Sequence, residues 1–266
     1  MSFTRATLGR TGIQVCRLGI GSSYGALANA VEQAFDHGVN YFYWGSLRRN
    51  AFGDGLRALA PHRDRFLLVT QSYSRVASLI GPSLERALRA LRFDYTDALL
   101  LGLWNGAPPP RILDACRKLR ERGLVRYLAV STHNRPLIAR LAPDPQFDIF
   151  HVRYNAVHRG AEREVFPQLL VGNPPGLVSF TATSWRQLLD HKRIPPGEKI
   201  PTAADCYRFV LTEPAVNICM TGPSDAAQFE QAVEALRRGP MAADELAWMR
   251  RVGDAIYGKV RKGQAA

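Results

Sequence analysis

From Arg17 onward the chain repeats one unit: a short apolar strand, a polar turn, then an amphipathic helix. Strand-like stretches run over Arg17–Gly21, Val39–Tyr43, Arg65–Gln71, Asp97–Leu103, Val125–Val130, Phe147–Val152, Gly176–Phe180 and Val216–Met220. Helical periodicity fills the intervals, as in Leu27–Asp36, Ala51–Leu59, Ser83–Leu91, Arg163–Leu170, Thr202–Leu211 and Ala226–Leu236. In Ser83–Leu91, for example, Leu84, Leu88 and Leu91 fall on one stripe. Units of roughly 30 residues alternating in this way specify a parallel α/β fold. Eight of them close most naturally into a (β/α)8 barrel, and about 250 residues is the usual requirement. At 266 residues, the chain fits one such domain over residues 1–266.

The ends carry additions to that plan. Met1–Val15, turning at Gly9-Arg10-Thr11-Gly12, reads as a hairpin ahead of the first strand. Glu245–Tyr257 reads as an extra C-terminal helix, and Lys259–Ala266 as a frayed tail. The N-terminus has no apolar core of a secretory signal, and no apolar run approaches the roughly 18 residues of a membrane span. A soluble, cytoplasmic protein is expected. Cys16, Cys116, Cys206 and Cys219 lie far apart, a pattern of reduced thiols rather than disulfides or a metal cluster. The net charge of +12 invites a nucleic-acid reading. The arginines are spread over helices and turns, however, and do not alternate with aromatics on a strand face. Solvated helix faces account for most of them, and no nucleic-acid partner is expected.

In a barrel of this kind, chemistry sits at the C-terminal ends of the strands. The second strand ends in Tyr43-Trp44-Gly45-Ser46-Leu47-Arg48-Arg49, two aromatics and two cations with no carboxylate before Asp54. Strand alternation puts Val39, Tyr41 and Tyr43 on one face, taken as inward. Tyr43 as an acid, with Arg48 as its cation, is one candidate; packing in the barrel interior is the plainer alternative. His133 and His151 end the fifth and sixth strands, where an imidazole can work near neutral pH or simply bond to backbone. Trp104 and Trp185 follow the fourth and seventh strands and could form either pocket walls or core. Tyr73 and Asn105 are weaker candidates at the same end.

Several stretches, in this order, resemble the aldo/keto reductase family over nearly the whole chain. They are Leu8–Gly12 with Arg17–Gly21, Gly38–Phe42, Leu119–Ser131, Arg153-Tyr154-Asn155, and Asn217–Gly222 with the helix that follows. The resemblance implies NADP(H) as cofactor and a carbonyl as substrate, reduced with a Tyr acid, a Lys–Asp pair and a His. Carried over by position, the family Asp falls on Tyr43, the Tyr on Arg48, the Lys on Gln71 and the His on Gly102. All four are replaced, so the resemblance implies atypical or lost carbonyl reduction. For the cofactor it implies Ser131 and Thr132 at the nicotinamide amide, with His151 in place of a Gln beside them. It also implies Phe180 as the stacking aromatic and Thr221, Gly222, Ser224 and Gln228 around the diphosphate and the following helix. The family Glu-Asn pair falls on Gln231 and Ala232, which weakens adenine recognition.

Three classes of function remain open from sequence. One is an NADP(H)-binding oxidoreductase with a reassigned acid, acting on a bulky small molecule across a shallow, open site. Another is a non-catalytic relative that binds a nucleotide or metabolite and works through a partner. The last is a non-redox barrel enzyme, a lyase or isomerase, using Tyr43, Arg48 and His133.

Overall fold

The computed structural model describes Phe3 and residues 5–22, 28–45, 50–170 and 172–264. Arg48 therefore lies outside the described residues. Among the described residues ten strands follow one another: β1 (Ala6–Thr7), β2 (Gln14–Val15), β3 (Leu18–Gly21), β4 (Tyr41–Trp44), β5 (Leu67–Ser72), β6 (Thr96–Leu101), β7 (Val125–Thr132), β8 (Ile149–Arg153), β9 (Gly176–Phe180) and β10 (Ile218–Thr221). The first two form an antiparallel pair, and β3 to β10 close into a parallel barrel in sequential order, β10 returning to pair with β3. The (β/α)8 barrel with an N-terminal hairpin is thus the observed architecture.

Outside the barrel lie α1 (Ala28–Asp36), α2 (Asn50–Ala58), α3 (Ala77–Leu91), α4 (Pro110–Glu121), α5 (Arg135–Leu141), α6 (Ala161–Glu164), α7 (Ala203–Thr212), α8 (Ala226–Arg238) and α9 (Ala243–Gln264). Three helical bounds differ from the sequence reading. The helix after β5 starts at Ala77 rather than Ser83 and carries Pro82 inside it, because Ile80 is fully buried and holds the added turn. The helix after β8 stops at Glu164, and Pro167 admits only a 3₁₀ turn over Phe166–Gln168. The last helix continues through Gln264, so residues 259–264 are helical rather than tail.

Alternation along each strand divides the core into two layers. Tyr41, Leu67, Val69, Ala98, Leu100, Ala129, Ile149, Val178 and Ile218 fill the barrel. Their neighbours, such as Phe42, Leu68, Leu99, Val130, Phe150 and Leu177, face the helices. Val39 belongs to this outer layer and not with Tyr41, since the strand begins only at Tyr41 and alternation does not reach back to it. Trp44 also faces outward, buried against the helices.

The N-terminal end of the barrel is plugged. The hairpin brings Leu8 and Val15 onto the inner layer. Gly9 makes this possible: its φ is +47°, and a Cβ there would run into the backbone of Pro174–Gly176. At the same end Asp97 accepts from the Leu68 N–H at 2.9 Å and pairs with Arg63 at 2.6 Å and Arg126 at 3.1 Å. Asp148 accepts from the Leu128 N–H at 2.8 Å and pairs with Arg120. Among the described residues no helix is long and apolar enough to cross a membrane. All four cysteines are buried and unbridged.

Candidate functional site

The opposite end of the barrel opens into a cavity of about 690 Å³. Its floor is formed by inward-facing positions near the C-terminal ends of the strands: Gly21, Tyr43, Gln71, Ser131, His151, Phe180 and Met220 all line it. Strand parity accounts for the set, Gly21 standing two beyond Gly19 and each of the others two beyond a member of the inner layer. Tyr43 of the expected catalytic residues lines this cavity, as do Ser131, His151, Phe180, Thr221, Gly222, Ser224 and Gln228 of the expected cofactor residues.

Two expected residues are elsewhere. Thr132 follows Ser131 by one position and so points to the outer side. It is 1% exposed, and its hydroxyl accepts from the Asn134 N–H at 2.9 Å to shape the turn into α5. His133 is exposed at the rim, its ring edge-on to Phe180 at 5.9 Å between centroids, and is not part of the cavity lining.

The floor is made of uncharged groups. Tyr43 is held well above its ordinary titration range by burial, and next by the neighbouring Tyr73 phenol. Beneath it, the Tyr41 hydroxyl lies 2.7 Å from His151 Nε2. Burial lowers the His151 pKa to about 3, so this imidazole is neutral at physiological pH and does not charge as the sequence allowed. Tyr41, pushed upward by burial, keeps its proton and can donate it to Nε2.

Gln71 and Gly102 form a complementary pair across β5 and the end of β6. A Cβ on residue 102 would collide with the Gln71 amide nitrogen and would lie 2.8 Å from the Tyr73 ring. The absent side chain is what lets Gln71 lie there. Beyond Gly102 the backbone turns sharply, with Leu103 at φ +51°. That turn is held by the Leu103 N–H donating to Ser131 Oγ at 2.9 Å, and by Arg75 donating to the carbonyls of Gly102 and Leu103 at 2.9 and 2.8 Å.

Two polar atoms on this floor keep unused hydrogen-bonding capacity. Gln71 Oε1 receives no hydrogen bond but is wholly covered by its neighbours. The Ser131 hydroxyl accepts from Leu103 but donates to no described residue. That hydroxyl can donate to a ligand carboxamide oxygen, and the Phe180 ring gives the ligand an apolar face.

The wall after β9 is a strained loop. Thr181, Ser184, Trp185 and Arg186 all have positive φ, at 64°, 51°, 53° and 67°. Conformations of this kind cost about 1–3 kcal/mol each and gather where function requires them. Asn155 supports the loop by donating to the Thr181 carbonyl at 2.7 Å. Trp185 lines the cavity as an aromatic wall, whereas Trp104 is packed in the outer core. Tyr73, Arg186, Tyr207 and Met220 complete the lining; of these only Tyr73 was a candidate from sequence.

After β10 the chain enters α8 through Asp225, whose side chain accepts from the Gln228 N–H at 2.8 Å. The Gln228 amide in turn donates to Ser224 Oγ at 2.7 Å and to Asp225 at 2.9 Å. Thr221–Ser224 border the cavity, the Thr221 hydroxyl donating to the Gly19 carbonyl at 2.9 Å, with Gln231 beyond them, while Ala232 is wholly buried.

The sequence model of the aldo/keto reductase family matches residues 18–180. Among curated proteins, L-galactose dehydrogenase of Arabidopsis thaliana is 27% identical over 149 residues, 47% of this chain and 47% of that protein. An aryl-alcohol dehydrogenase of Pestalotiopsis microspora is 30% identical over 92 residues, 32% of this chain and 24% of that protein. The chain thus matches less than half the length of either relative. Among solved structures, the holo form of an aldo-keto reductase from Bacillus halodurans aligns with a TM-score of 0.79 at 21% identity, covering 94% of this chain and 96% of that one. Its apo form aligns with a TM-score of 0.75 at 20% identity, with the same coverage. At such identity the likeness is one of fold.

Proposed function

Since the chain belongs to the aldo/keto reductase family, we propose that it binds NADP(H) in this cavity and that its carbonyl-reducing chemistry is atypical. The observation that carries the reading is the convergence of Ser131, Phe180 and Thr221–Ser224 on one cavity, with an unused hydroxyl donor at Ser131. Ser131 would hold the carboxamide, Phe180 the ring, and the Thr221–Ser224 turn the diphosphate. The bound cofactor supplies a hydride to an electrophilic carbon.

The chain's own contribution to the proton step is weak. Tyr43 is a phenol held in its protonated form by burial, and no charged side chain shares the described floor with it. An acid works best when its pKa lies near the operating pH. Tyr43 can polarise a substrate oxygen by donating a hydrogen bond, but transfer of its proton is opposed. The replacement of the tetrad positions by Tyr43, Gln71 and Gly102, with Arg48 outside the described residues, supports slow turnover or none. A neutral floor with Gln71 packed beside Gly102 equally suits a relative that binds a nucleotide without reacting it.

Titration with NADPH, followed by cofactor fluorescence, tests the binding reading; saturation is expected at micromolar concentration, and its absence at high micromolar would end the proposal. With cofactor bound, a carbonyl panel compared between wild type and Tyr43→Phe separates the two readings. A loss of about tenfold or more in kcat for Tyr43→Phe supports weak catalysis through this hydroxyl. Equal turnover removes Tyr43 from the chemistry, and no turnover in either favours the binding relative.

A further inference from the structure

We infer that the cavity takes a carboxylate-bearing ligand, whose anionic group is held at the mouth by the Arg153 guanidinium and whose apolar body lies between Phe180 and Trp185. The inference rests on the cavity being the substrate site. Arg153 ends β8 and shares its parity with Ile149 of the inner layer and His151 of the floor, so it stands one level above His151, just beyond the residues that line the cavity. It pairs in register with Phe180, and its guanidinium carbon lies 5.6 Å from the Trp185 ring centroid. Phe180 and Trp185 both line the cavity.

The side chain is half-buried, yet no described residue gives it a hydrogen bond or an ion pair. The residues outside the description include no Asp or Glu. Other partly buried arginines are matched. Arg63 meets Asp97, Arg208 meets Glu245 at 2.5 Å, and Arg135 clasps Glu164 at 3.0 and 2.9 Å. A guanidinium withdrawn from water with no counterion is costly for the fold, and burial followed by the nearby Arg135 charge presses on its protonation. A bound anion would relieve that cost.

The surroundings select the kind of anion. A planar fork of N–H donors matches a carboxylate bidentately. His133 and His158 stand beside it, and burial followed by the Arg153 charge disfavours their protonation. They offer hydrogen bonds but little second positive charge, which suits a monoanion better than a phosphate dianion. Arg186 also lines the cavity, but it is exposed and therefore already well hydrated.

Calorimetric titration with benzoate and with benzamide, which share a ring and differ in charge, tests the inference. Benzoate is expected to bind wild type at least about tenfold more tightly than benzamide. Arg153→Met should abolish that preference and Arg153→Lys should keep part of it. Equal affinities, no saturable benzoate binding at millimolar concentration, or a preference surviving in Arg153→Met would each overturn the assignment. Measuring NADPH fluorescence on the same samples keeps the two readings apart. Benzoate preference without NADPH binding removes the cofactor and leaves the carboxylate site. NADPH binding without benzoate preference does the reverse.

Discussion

At the N-terminal end of the barrel, carboxylates and arginines enter in matched sets, while at the C-terminal end one half-buried arginine packs on Trp185 beside a cavity with no carboxylate in its lining. Asp97 has a side chain only 3% exposed and answers two arginines and a backbone N–H. Arg153 is half-buried and packs over the Trp185 ring, with no hydrogen bond or ion pair from any described residue. The plugged end places its polar groups to hold strands together; the open end leaves Gln71 Oε1, the Ser131 hydroxyl and Arg153 incompletely satisfied. Polar groups that secure the strands thus gather at one end, and the cavity opens at the other, the end where this architecture places its sites.

This contrast can be broken most directly at Asp97. Removing it by Asp97→Ala strands Arg63 and the Leu68 N–H, and a loss of about 3 kcal/mol is expected in urea unfolding. A cost below about 1 kcal/mol would show that the matched end is not what secures the barrel. A smaller effect, confined to acid, belongs to His151. Its folded pKa of about 3 lies below the ordinary 6.5, so the unfolded chain takes up the proton first. The stability gained by keeping the ring neutral is complete above pH 6.5 and is lost as pH falls toward 3. From pH 7 to pH 5, wild type should lose about 2 kcal/mol more than His151→Gln; identical acid limbs would mean the ring is already charged in the fold. Arg153→Met sharpens the contrast from the other side. With no counterion to abandon, it should shift unfolding by less than about 0.5 kcal/mol or stabilise the protein. A loss comparable to that of Asp97→Ala would reveal a structural partner for this arginine and contradict a role reserved for ligand.

The fold could be read from sequence because its signals are local. Apolar stripes and the turns between them depend on residues a few positions apart, and eight such units leave one natural closure. Errors fell where a local rule met a tertiary pull, as when buried Ile80 extended α3 back past Pro82. The site was legible to the extent that parity reached it. Tyr43, Ser131, His151 and Phe180 sit on the floor because each is an even number of residues from the inner layer. Thr132 misses it by one position, and Val39 lies before its strand begins. What sequence could not display was environment. His151 is neutral because it is buried, and Gln71 lies at Gly102 because two strands bring together residues that are distant along the chain. Arg153 was within reach: Ile149, His151 and Arg153 follow one parity. The missing counterion, which gives the residue its meaning, emerges only once every neighbour is in place.

The meeting of Gln71 and Gly102 has a mutational consequence. A side chain cannot simply be added at position 102, because its Cβ would meet the Gln71 amide and crowd the Tyr73 ring. Position 71 would have to shorten or turn away beforehand, so any mutational route that builds on residue 102 must pass through the glutamine first, and this floor is harder to alter than its open cavity suggests.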